Sequence, residues 1–499
     1  MWIDFLADSG DDVEVSAAVG RMFAATYRLP DPDPRGGPEH VVAPRGDILL
    51  HGGDLAYPVA TDAEIHARLV VPFNRALVGA RDGRRRVLLG VPGNHDWYDG
   101  LDGFGRLMRR RVGELSRELD VPAIEAEKNS RLGHAVRFVE KLVVAGQLQK
   151  IRALVLDGYL PVQDASYFLL PIAKDLDLWG LDRQLRNVDF RQRRFFERWR
   201  AGHPERRRIV LFPDPVYAHL ERSQTGFWMV DALSLDVDRV PHLCLAGDLH
   251  HYERLEMGAS LHVTAGGGGA FLHGARLGRR GKKAPELEWP GQRATAAMLR
   301  YVPLHVMLGR AGFIPHLLLL LLFAPVLGVG LWASPTDVGV FVANALAAIV
   351  TAIGCAFLGG IQLNRSRAVA ALSAALGLWI AFVPIVTSEL FERFLALAGV
   401  TYGPRIDALI VLLLAVFSGA FAFGAFLAAL SALGLESTQA MTALAHPGFK
   451  HFVRMRVRRD GSRVDAWTIG LRDPLAQSEQ PVLVDRWSWK PEPAPRQPG

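Results

Sequence analysis

RVLLGVPGNHDW, residues 86–97, joins a short apolar run to a group of polar side chains. The run Arg86–Val91 has the length and composition of a buried strand, and the proline and glycine that follow it interrupt a strand. Asn94, His95 and Asp96 therefore stand where the predicted strand ends. This arrangement indicates a sheet whose strand ends carry a functional site.

Four further apolar runs end in polar segments in the same way. The runs are Trp2–Ala7, Asp47–Leu50, Arg208–Phe212 and Pro241–Ala246. Stretches that favour helices lie between the runs, at Val13–Tyr27, Asp62–Val78 and Gly103–Leu119. Strands that alternate with helices predict an α/β sheet, in which the loops after the strand ends collect at one edge. We therefore expect the five polar loops to converge.

The polar loops hold side chains that bind hard or borderline metal ions. Four of them are ADSGD (7–11), GDLAY (53–57), GNHD (93–96) and GDLHHY (247–252). Their carboxylates, amide oxygen and imidazoles suit Mn, Fe, Zn or Mg. Two such ions about 3.5–4 Å apart can hold the attacking and leaving oxygens of a phosphate ester. Each motif alone is weak evidence, but the four in this order indicate a metal site.

The order and spacing of these motifs resemble the calcineurin-like metallophosphoesterase superfamily. That family's pattern is Asp-x-His, Gly-Asp, Gly-Asn-His-Asp/Glu, a His after a later strand, and Gly-His-x-His. The resemblance to the superfamily covers residues 1–275. More narrowly, the chain resembles a membrane-attached subgroup known from bacteria and plants, which shares the segments GDLHHY, GGAFLH (268–273) and HPGFKHF (446–452). It implies a β-sandwich flanked by helices and a metal-dependent phosphoric ester hydrolase.

The resemblance also implies two divalent or trivalent metal ions, Mn, Fe, Zn or Mg, and a role for each matching residue. Asp8 and His250 would bind the first ion, and Asp54 would bridge both ions. Asn94 would bind the second ion. His95 would lie beside the ions and stabilise charge or protonate the leaving oxygen, while a hydroxide that bridges the ions attacks phosphorus.

The sequence departs from the family's pattern at three positions. Gly10 stands where the first motif usually has His, and Tyr57 has the spacing of a tyrosine ligand in purple acid phosphatases, so Tyr57 is either a ligand or a packing residue. Asp248 replaces the first His of Gly-His-x-His, and a carboxylate can serve there as a ligand. No His follows Phe212. Asp214 either takes that place, or water fills it.

His251, next to the implied ligand His250, is a candidate contact for the substrate phosphate. The alternative is a histidine that orients a ligand or lies at the surface. The sequence leaves both interpretations open.

The later part of the chain is strongly apolar. Four runs near 313–333, 338–361, 368–388 and 406–434 each reach the roughly 20 residues that a membrane span needs. None has a charge at its centre, which argues against an ion pump or transporter. These runs predict a four-helix transmembrane region over residues 311–434. Positive charge before the first run, between the second and third, and after the fourth places both termini in the cytoplasm.

The compartment of the catalytic segment is predicted from the N-terminus and the cysteines. The first residues, MWIDFLADSGDD, have no basic region followed by a long apolar stretch, so we predict no signal peptide. The two cysteines lie in different segments and form no disulfide or metal pattern. We therefore expect an integral, multi-pass membrane protein whose catalytic domain is cytoplasmic.

Polar residues return after the last apolar run. Two alternating stretches flank Asp460 and Gly461, which predicts a hairpin in a small cytoplasmic β-rich tail. Because a lone hairpin is marginal in water, we expect the tail to pack on the catalytic domain. The predicted divisions are a catalytic domain (1–300), the transmembrane region (311–434), the tail (435–490) and a disordered end (491–499).

These features predict a membrane-anchored, binuclear phosphoesterase that hydrolyses a phosphomonoester or phosphodiester. An anchor concentrates the enzyme on lipid-linked or membrane-proximal substrates, and the net charge of +6 suits anionic lipids. Nucleic acid is not an expected partner, and the oligomeric state is not predicted. The alternative is a non-catalytic metal-binding sensor or scaffold with the same fold, because three motif positions depart from the family.

Overall fold

A computed structural model describes residues 1–32, 39–110, 154–184, 188–278, 284–330, 367–401, 403–476 and 478–490. These residues form two compact units. The first unit consists of the described residues of Met1–Leu272, Lys283–Trp289 and Pro447–Gly499. The second consists of the described residues of His273–Lys282 and Pro290–His446.

The strands belong to the first unit and follow one another in chain order. They are β1 Trp2–Leu6, β2 Tyr27–Pro30, β3 His40–Ala43, β4 Ile48–His51, β5 Arg86–Gly90, β6 Tyr159–Pro161, β7 Phe168–Ala173, β8 Leu176–Gly180, β9 Arg207–Phe212, β10 Tyr217–Ala218, β11 Glu221–Arg222, β12 His242–Ala246, β13 Tyr252–Met257, β14 Ser260–Ala265, β15 Leu287–Trp289, β16 Lys450–Val457, β17 Val464–Leu471 and β18 Val482–Trp489. All five strands predicted from the sequence are present, with ends within one residue of the prediction.

Most of these strands form two seven-stranded sheets. Sheet 1 has the order β18-β17-β16-β1-β4-β5-β6, and sheet 2 has the order β15-β13-β14-β12-β9-β8-β7. β1, β4, β5 and β6 are parallel neighbours in sheet 1, and β14, β12, β9 and β8 are parallel neighbours in sheet 2. Parallel strands bring their carboxyl ends to one edge, which is where the polar loops begin.

Helices connect several of these strands. In the first unit they are α1 Val13–Ala24, α2 Asp62–Ile65, α3 Val71–Gly79, α4 Asn94–Trp97, α5 Asp102–Met108, α6 Phe190–Gly202 and α7 Gln224–Ala232, and a π-helical turn, His66–Val70, joins α2 to α3. Asp12 caps α1 by accepting the N–H groups of Glu14 and Val15. α5 is shorter than the predicted helix Gly103–Leu119, whose later residues lie outside the described part.

Apolar side chains lie on both faces of both sheets. One buried cluster combines Phe5 and Leu50 of sheet 1 with Ile209 and Leu243 of sheet 2. A second cluster joins the other face of sheet 1 to α1 and α3, and a third joins sheet 2 to α6 and α7. The mixed α/β class predicted from the sequence is confirmed.

The chain's last strands complete sheet 1. β16 pairs antiparallel with β1, from Trp2 opposite Arg456 to Phe5 opposite Val453. β17 and β18 continue outward from β16, and Asp460 and Gly461 lie in the connection between β16 and β17. The predicted hairpin is therefore present and packs on the N-terminal strands.

The described residues of the second unit are helical. Its helices are α8 Gln292–Leu299, α9 Val302–Met307, α10 Ile314–Gly330, α11 Arg367–Ala398, α12 Pro404–Ala432 and α13 Gln439–Leu444. α12 contacts α9, α10 and α11.

The prediction of four membrane spans is supported for two helices. Arg367–Ala398 and Ile406–Ala432 are long and apolar enough to cross a membrane. The first predicted span overlaps α10, whose 17 residues rise about 25 Å, and it stays a prediction. The predicted span at 338–361 lies outside the described residues.

Candidate metal centre

The predicted ligands sit immediately after parallel strands. Asp8 follows β1, Asp54 follows β4, and Asp248 follows β12. All three have left-handed backbone conformations, with φ of 59°, 56° and 68°. Such conformations are uncommon for residues other than glycine and cluster at functional sites. The loops also bind one another, because Asp8 N–H donates to Gly53 O at 3.0 Å.

The Tyr57 hydroxyl is the point where the predicted ligands of the first ion meet. Its oxygen lies 2.9 Å from Asp8 Oδ1 and 3.2 Å from Asp54 Oδ2. The same oxygen lies 2.9 Å from Nε2 of His250. His250 Nδ1 is 2.7 Å from Phe271 O, so the proton of a neutral imidazole is at Nδ1 and Nε2 offers a lone pair.

This arrangement has more acceptors than donors. One phenolic proton can satisfy only one of the three acceptors around the Tyr57 oxygen. Ligand atoms about 2.1 Å from one metal ion stand about 3.0–3.4 Å from each other, close to the observed separations. A cation bound by Asp8, Asp54, Tyr57 and His250 fits these donor atoms better than a proton does.

Asp8 and Asp54 are buried, and Asp248 beside them is half-buried. Asp248 N–H donates to Asp8 Oδ2 at 3.0 Å. Burial, and then the charges of Asp54 and Asp248, raise the pKa of Asp8 well above its usual value. Burial, and then the charges of Asp214 and Asp54, do the same to the pKa of Asp248. A bound cation would oppose both effects, so the electrostatics also fit metal ions.

GNHD places one backbone donor and one buried acid against Asp54. His95 N–H donates to Asp54 Oδ1 at 2.8 Å. Asp96 accepts N–H groups from Gly93 and Asp54 at 2.8 Å each and from Leu55 at 3.2 Å. Burial, and then the Asp54 charge, raise the pKa of Asp96 to about 8. Asp96 therefore orders the loops that present Asp54 and His95.

Gly93 is required by this close approach. A Cβ atom there would lie 2.1 Å from Asp54 Oδ1, well inside van der Waals contact. Gly10 is similarly restricted, because its φ is +61° and a Cβ would lie 2.4 Å from Leu55 O. A histidine at position 10 does not fit this backbone, which explains the first departure from the family's pattern.

The side chain of His95 lies over Tyr57. The two rings are 4.3 Å apart between centroids, and His95 Nδ1 is 2.6 Å from Pro58 O. Asn94, at the start of α4, donates its side-chain amide to the Tyr98 hydroxyl at 3.0 Å. His95 therefore lies against Asp54 and Tyr57. The side-chain amide of Asn94 contacts Tyr98 instead.

Asp214 converges on the same carboxylates from β9. Its charge acts on both Asp54 and Asp248. Both of its oxygens accept hydrogen bonds from Arg183 Nη1, at 2.7 and 2.6 Å. Asp214 therefore lies near these carboxylates, but it already has a cationic partner in Arg183.

Known proteins offer little guidance to this site. No protein-family model matches the sequence, and no curated protein is similar to it. Among solved structures, GAP50, the anchor in the inner membrane complex of Plasmodium, is 12% identical, with a TM-score of 0.32, over 58% of this chain and 77% of its own. PhoD is 10% identical, with a TM-score of 0.26, over 54% of this chain and 57% of its own. Both likenesses are too weak to establish a shared fold.

Several residues of the site were not singled out by the sequence. Lys450, on β16, is buried and donates a hydrogen bond to Ala270 O. Burial lowers the pKa of Lys450 to about 7, against the charges of Asp11 and Asp8, which raise it. Lys450 belongs to the segment HPGFKHF, but the sequence does not predict that a lysine 442 positions after Asp8 lies near that carboxylate. Arg183 likewise has no motif.

His251 does not point to the Tyr57 oxygen as His250 does. Its ring stacks on that of His219, with centroids 5.0 Å apart and an interplanar angle of 1°. Together with Glu253 these side chains form a second group that could hold a metal ion. His219 and Glu253 were missed, because neither belongs to a spacing that predicts ligands.

Proposed function

We propose that the first unit is a metal-dependent phosphoric ester hydrolase with two metal ions, Mn, Fe, Zn or Mg. The convergence of Asp8, Asp54 and His250 on the Tyr57 oxygen is the observation that carries this proposal. The resemblance of the four motifs to calcineurin-like metallophosphoesterases agrees with it. The substrate is a phosphomonoester or phosphodiester.

The residues divide between the two ions. Asp8, Tyr57 and His250 would hold the first ion, and Asp54 would serve both ions. Asn94 and Asp248 would hold the second, with Asp214 as a further candidate ligand. The bound ions would supply an acidified water and neutralise charge that develops on the phosphoryl oxygens.

Protein groups carry out the remaining tasks. His95 Nδ1 faces Pro58 O, so Nε2 is the atom that can hold a proton for the leaving oxygen. The His95 ring also contacts the ring of Tyr57, at an interplanar angle of 51°. Arg183, close to Asp214, supplies positive charge at the site and can neutralise a phosphate oxygen.

Hydrolysis by the purified full chain tests this assignment. With Mn²⁺, Zn²⁺ or Fe²⁺ added, we expect turnover of p-nitrophenyl phosphate or bis-p-nitrophenyl phosphate that is lost in Asp54→Asn and His250→Ala. Asp102→Asn, on the exposed surface of α5, is the matched control and should retain activity. Full activity in Asp54→Asn would refute the proposed role.

The second candidate is a non-catalytic metal-binding sensor or scaffold. The Arg183–Asp214 pair favours the sensor or scaffold, because the guanidinium of Arg183 binds a carboxylate that the second metal ion would otherwise use. Three results together would support this candidate over the hydrolase. They are a single ion at the carboxylate centre, no turnover of either ester, and unchanged folding of the Arg183→Ala variant.

The hydrolase is proposed to be anchored in a membrane, with both termini in the cytoplasm. α11 exposes large apolar side chains, including Leu378, Trp379 and Leu397, and exposed apolar surface of this kind marks contact with lipid or protein. The first and last strands share sheet 1, so the chain must cross the membrane an even number of times between them. Because a membrane anchor concentrates the enzyme near lipids, the proposed substrate class is a lipid-borne phosphate ester.

A further inference from the structure

Two histidines and a glutamate form a buried group beside the carboxylate centre. His219 lies between β10 and β11, His251 lies just before β13, and Glu253 is the second residue of β13. His251 and Glu253 are fully buried, and His219 is 8% exposed. One ligand atom from each side chain lies within 4.8 Å of the other two.

The backbone and the rings hold this group together. His219 N–H donates to Glu253 Oε2 at 2.8 Å, which fixes the His219 loop against β13. The imidazole rings of His219 and His251 are parallel, with centroids 5.0 Å apart. Both rings thus lie next to one carboxylate.

The dimensions suit one small cation. Zinc binds imidazole nitrogen and carboxylate oxygen at about 2.0–2.2 Å, which places tetrahedral ligand atoms about 3.4 Å apart. The three ligand atoms lie within 4.8 Å of one another, so small side-chain rotations can bring them to this spacing.

We propose that His219, His251 and Glu253 bind one divalent transition-metal ion, separate from the carboxylate centre. Two imidazoles and one carboxylate are the donors of three-ligand zinc and non-haem iron sites. The same donors disfavour Mg²⁺, which prefers oxygen ligands.

The two neighbouring histidines then serve different sites. His250 directs Nε2 to the Tyr57 oxygen, whereas His251 stacks on His219. An ion at His251 ties the loop that carries Asp248 and His250 to the loop that carries His219. It is thus a positioning ion for the carboxylate centre, and His251 is a metal ligand rather than a phosphate contact.

The test counts Co²⁺ bound to the full chain in mild detergent, after chelator treatment and removal of free metal. Mass spectrometry gives the ions per chain, and visible absorption reports nitrogen and oxygen ligands. The variants are His219→Gln and Glu253→Gln, each alone and each combined with Asp54→Asn. His262→Gln is the matched control, because His262 is also buried in sheet 2 and lies outside the group.

We expect His219→Gln and Glu253→Gln each to lose one Co²⁺ per chain with its absorption band, while His262→Gln keeps it. Asp54→Asn should keep this ion and lose it only when His219→Gln is added. Excess Mg²⁺ should not displace it. If Glu253→Gln does not fold, as judged by circular dichroism, His219→Gln decides alone.

Unchanged Co²⁺ content and spectrum in folded His219→Gln would overturn the inference. Loss of the same ion in Asp54→Asn alone would also overturn it, because the ion would then belong to the carboxylate centre. Failure of ester hydrolysis with this ion retained would refute the proposed function and leave this site standing.

Discussion

At the scale of single residues, the site depends on oxygen and nitrogen atoms gathered around one phenol. The spacing of the motifs predicted Asp8, Asp54 and His250 as neighbours, because each follows a strand of a parallel sheet. The role of Tyr57 stayed open in the sequence, since a tyrosine at that spacing packs as readily as it binds. Its contacts with Asp8 and Asp54 now favour a ligand.

Tyr57→Phe separates the two roles of this residue. The phenylalanine ring retains the packing against His95, but the oxygen among the acceptors is removed. We expect the first ion to bind at least about tenfold more weakly, since even groups outside the coordination shell change affinity by 10–100-fold. Equilibrium dialysis with Mn²⁺ or Zn²⁺ measures this, and unchanged affinity would show that Tyr57 only packs.

Buried histidines make stability depend on pH. Burial, followed by the charges of Arg208 and His262, lowers the pKa of His242 from 6.5 to about 3. The unfolded chain therefore binds a proton at His242 between these values and the folded chain does not. The stability that His242 contributes is complete above pH 6.5 and is lost as the pH falls toward 3.

His242→Gln removes this proton uptake. We expect the thermal midpoint of the variant to fall less than that of the unmodified chain between pH 7 and pH 4.5, as measured by circular dichroism. His203→Gln, at an exposed position, is the control and should follow the unmodified chain. Parallel pH profiles for His242→Gln and the unmodified chain would contradict the account.

At the scale of elements, the tail is part of the first unit. The turn at Asp460 and Gly461 predicted β16 and β17, but not the neighbour of β16, because pairing with β1 joins residues more than 440 positions apart. Arg454 of β16 fixes this pairing. It donates to Asp4 through Nε at 2.6 Å and through Nη2 at 2.9 Å, and both side chains are fully buried.

Arg454→Met tests how much this pair contributes. Removing one partner leaves Asp4 buried without its cation, which costs about 3–5 kcal/mol. We expect a loss of that size in the free energy of unfolding of the first unit, measured by denaturant titration. Arg459→Met, at an exposed position on the same segment, should change it little. A loss below about 1 kcal/mol in Arg454→Met would contradict this role.

At the scale of the whole molecule, the chain leaves the first unit, forms the helices of the second and returns. Apolar length and composition predicted α11 and α12 well, because a span depends on the sum over many residues. The first predicted span overlaps α10 and stays a prediction. The composition of the first unit does not predict that β16, β17 and β18 of the tail complete sheet 1.

Membrane attachment makes a prediction at this scale. We expect the full chain to remain with the membrane pellet after extraction at alkaline pH, because α11 and α12 are long enough to span. Protease added to intact cells should leave both the N-terminus and the tail uncut, and cell lysis should expose them together. Release of the chain by alkaline extraction would contradict a spanning anchor.

Metal content bears most directly on the central claim that the carboxylates around Tyr57 form a two-ion centre. The measurement is metal per chain in the purified full chain and in Asp54→Asn, by mass spectrometry after loading with Mn²⁺. The account predicts that the unmodified chain holds about two more Mn²⁺ ions than the folded Asp54→Asn chain, apart from any ion that His219, His251 and Glu253 bind in both. Equal Mn²⁺ content in the two proteins, or none in either, would contradict it.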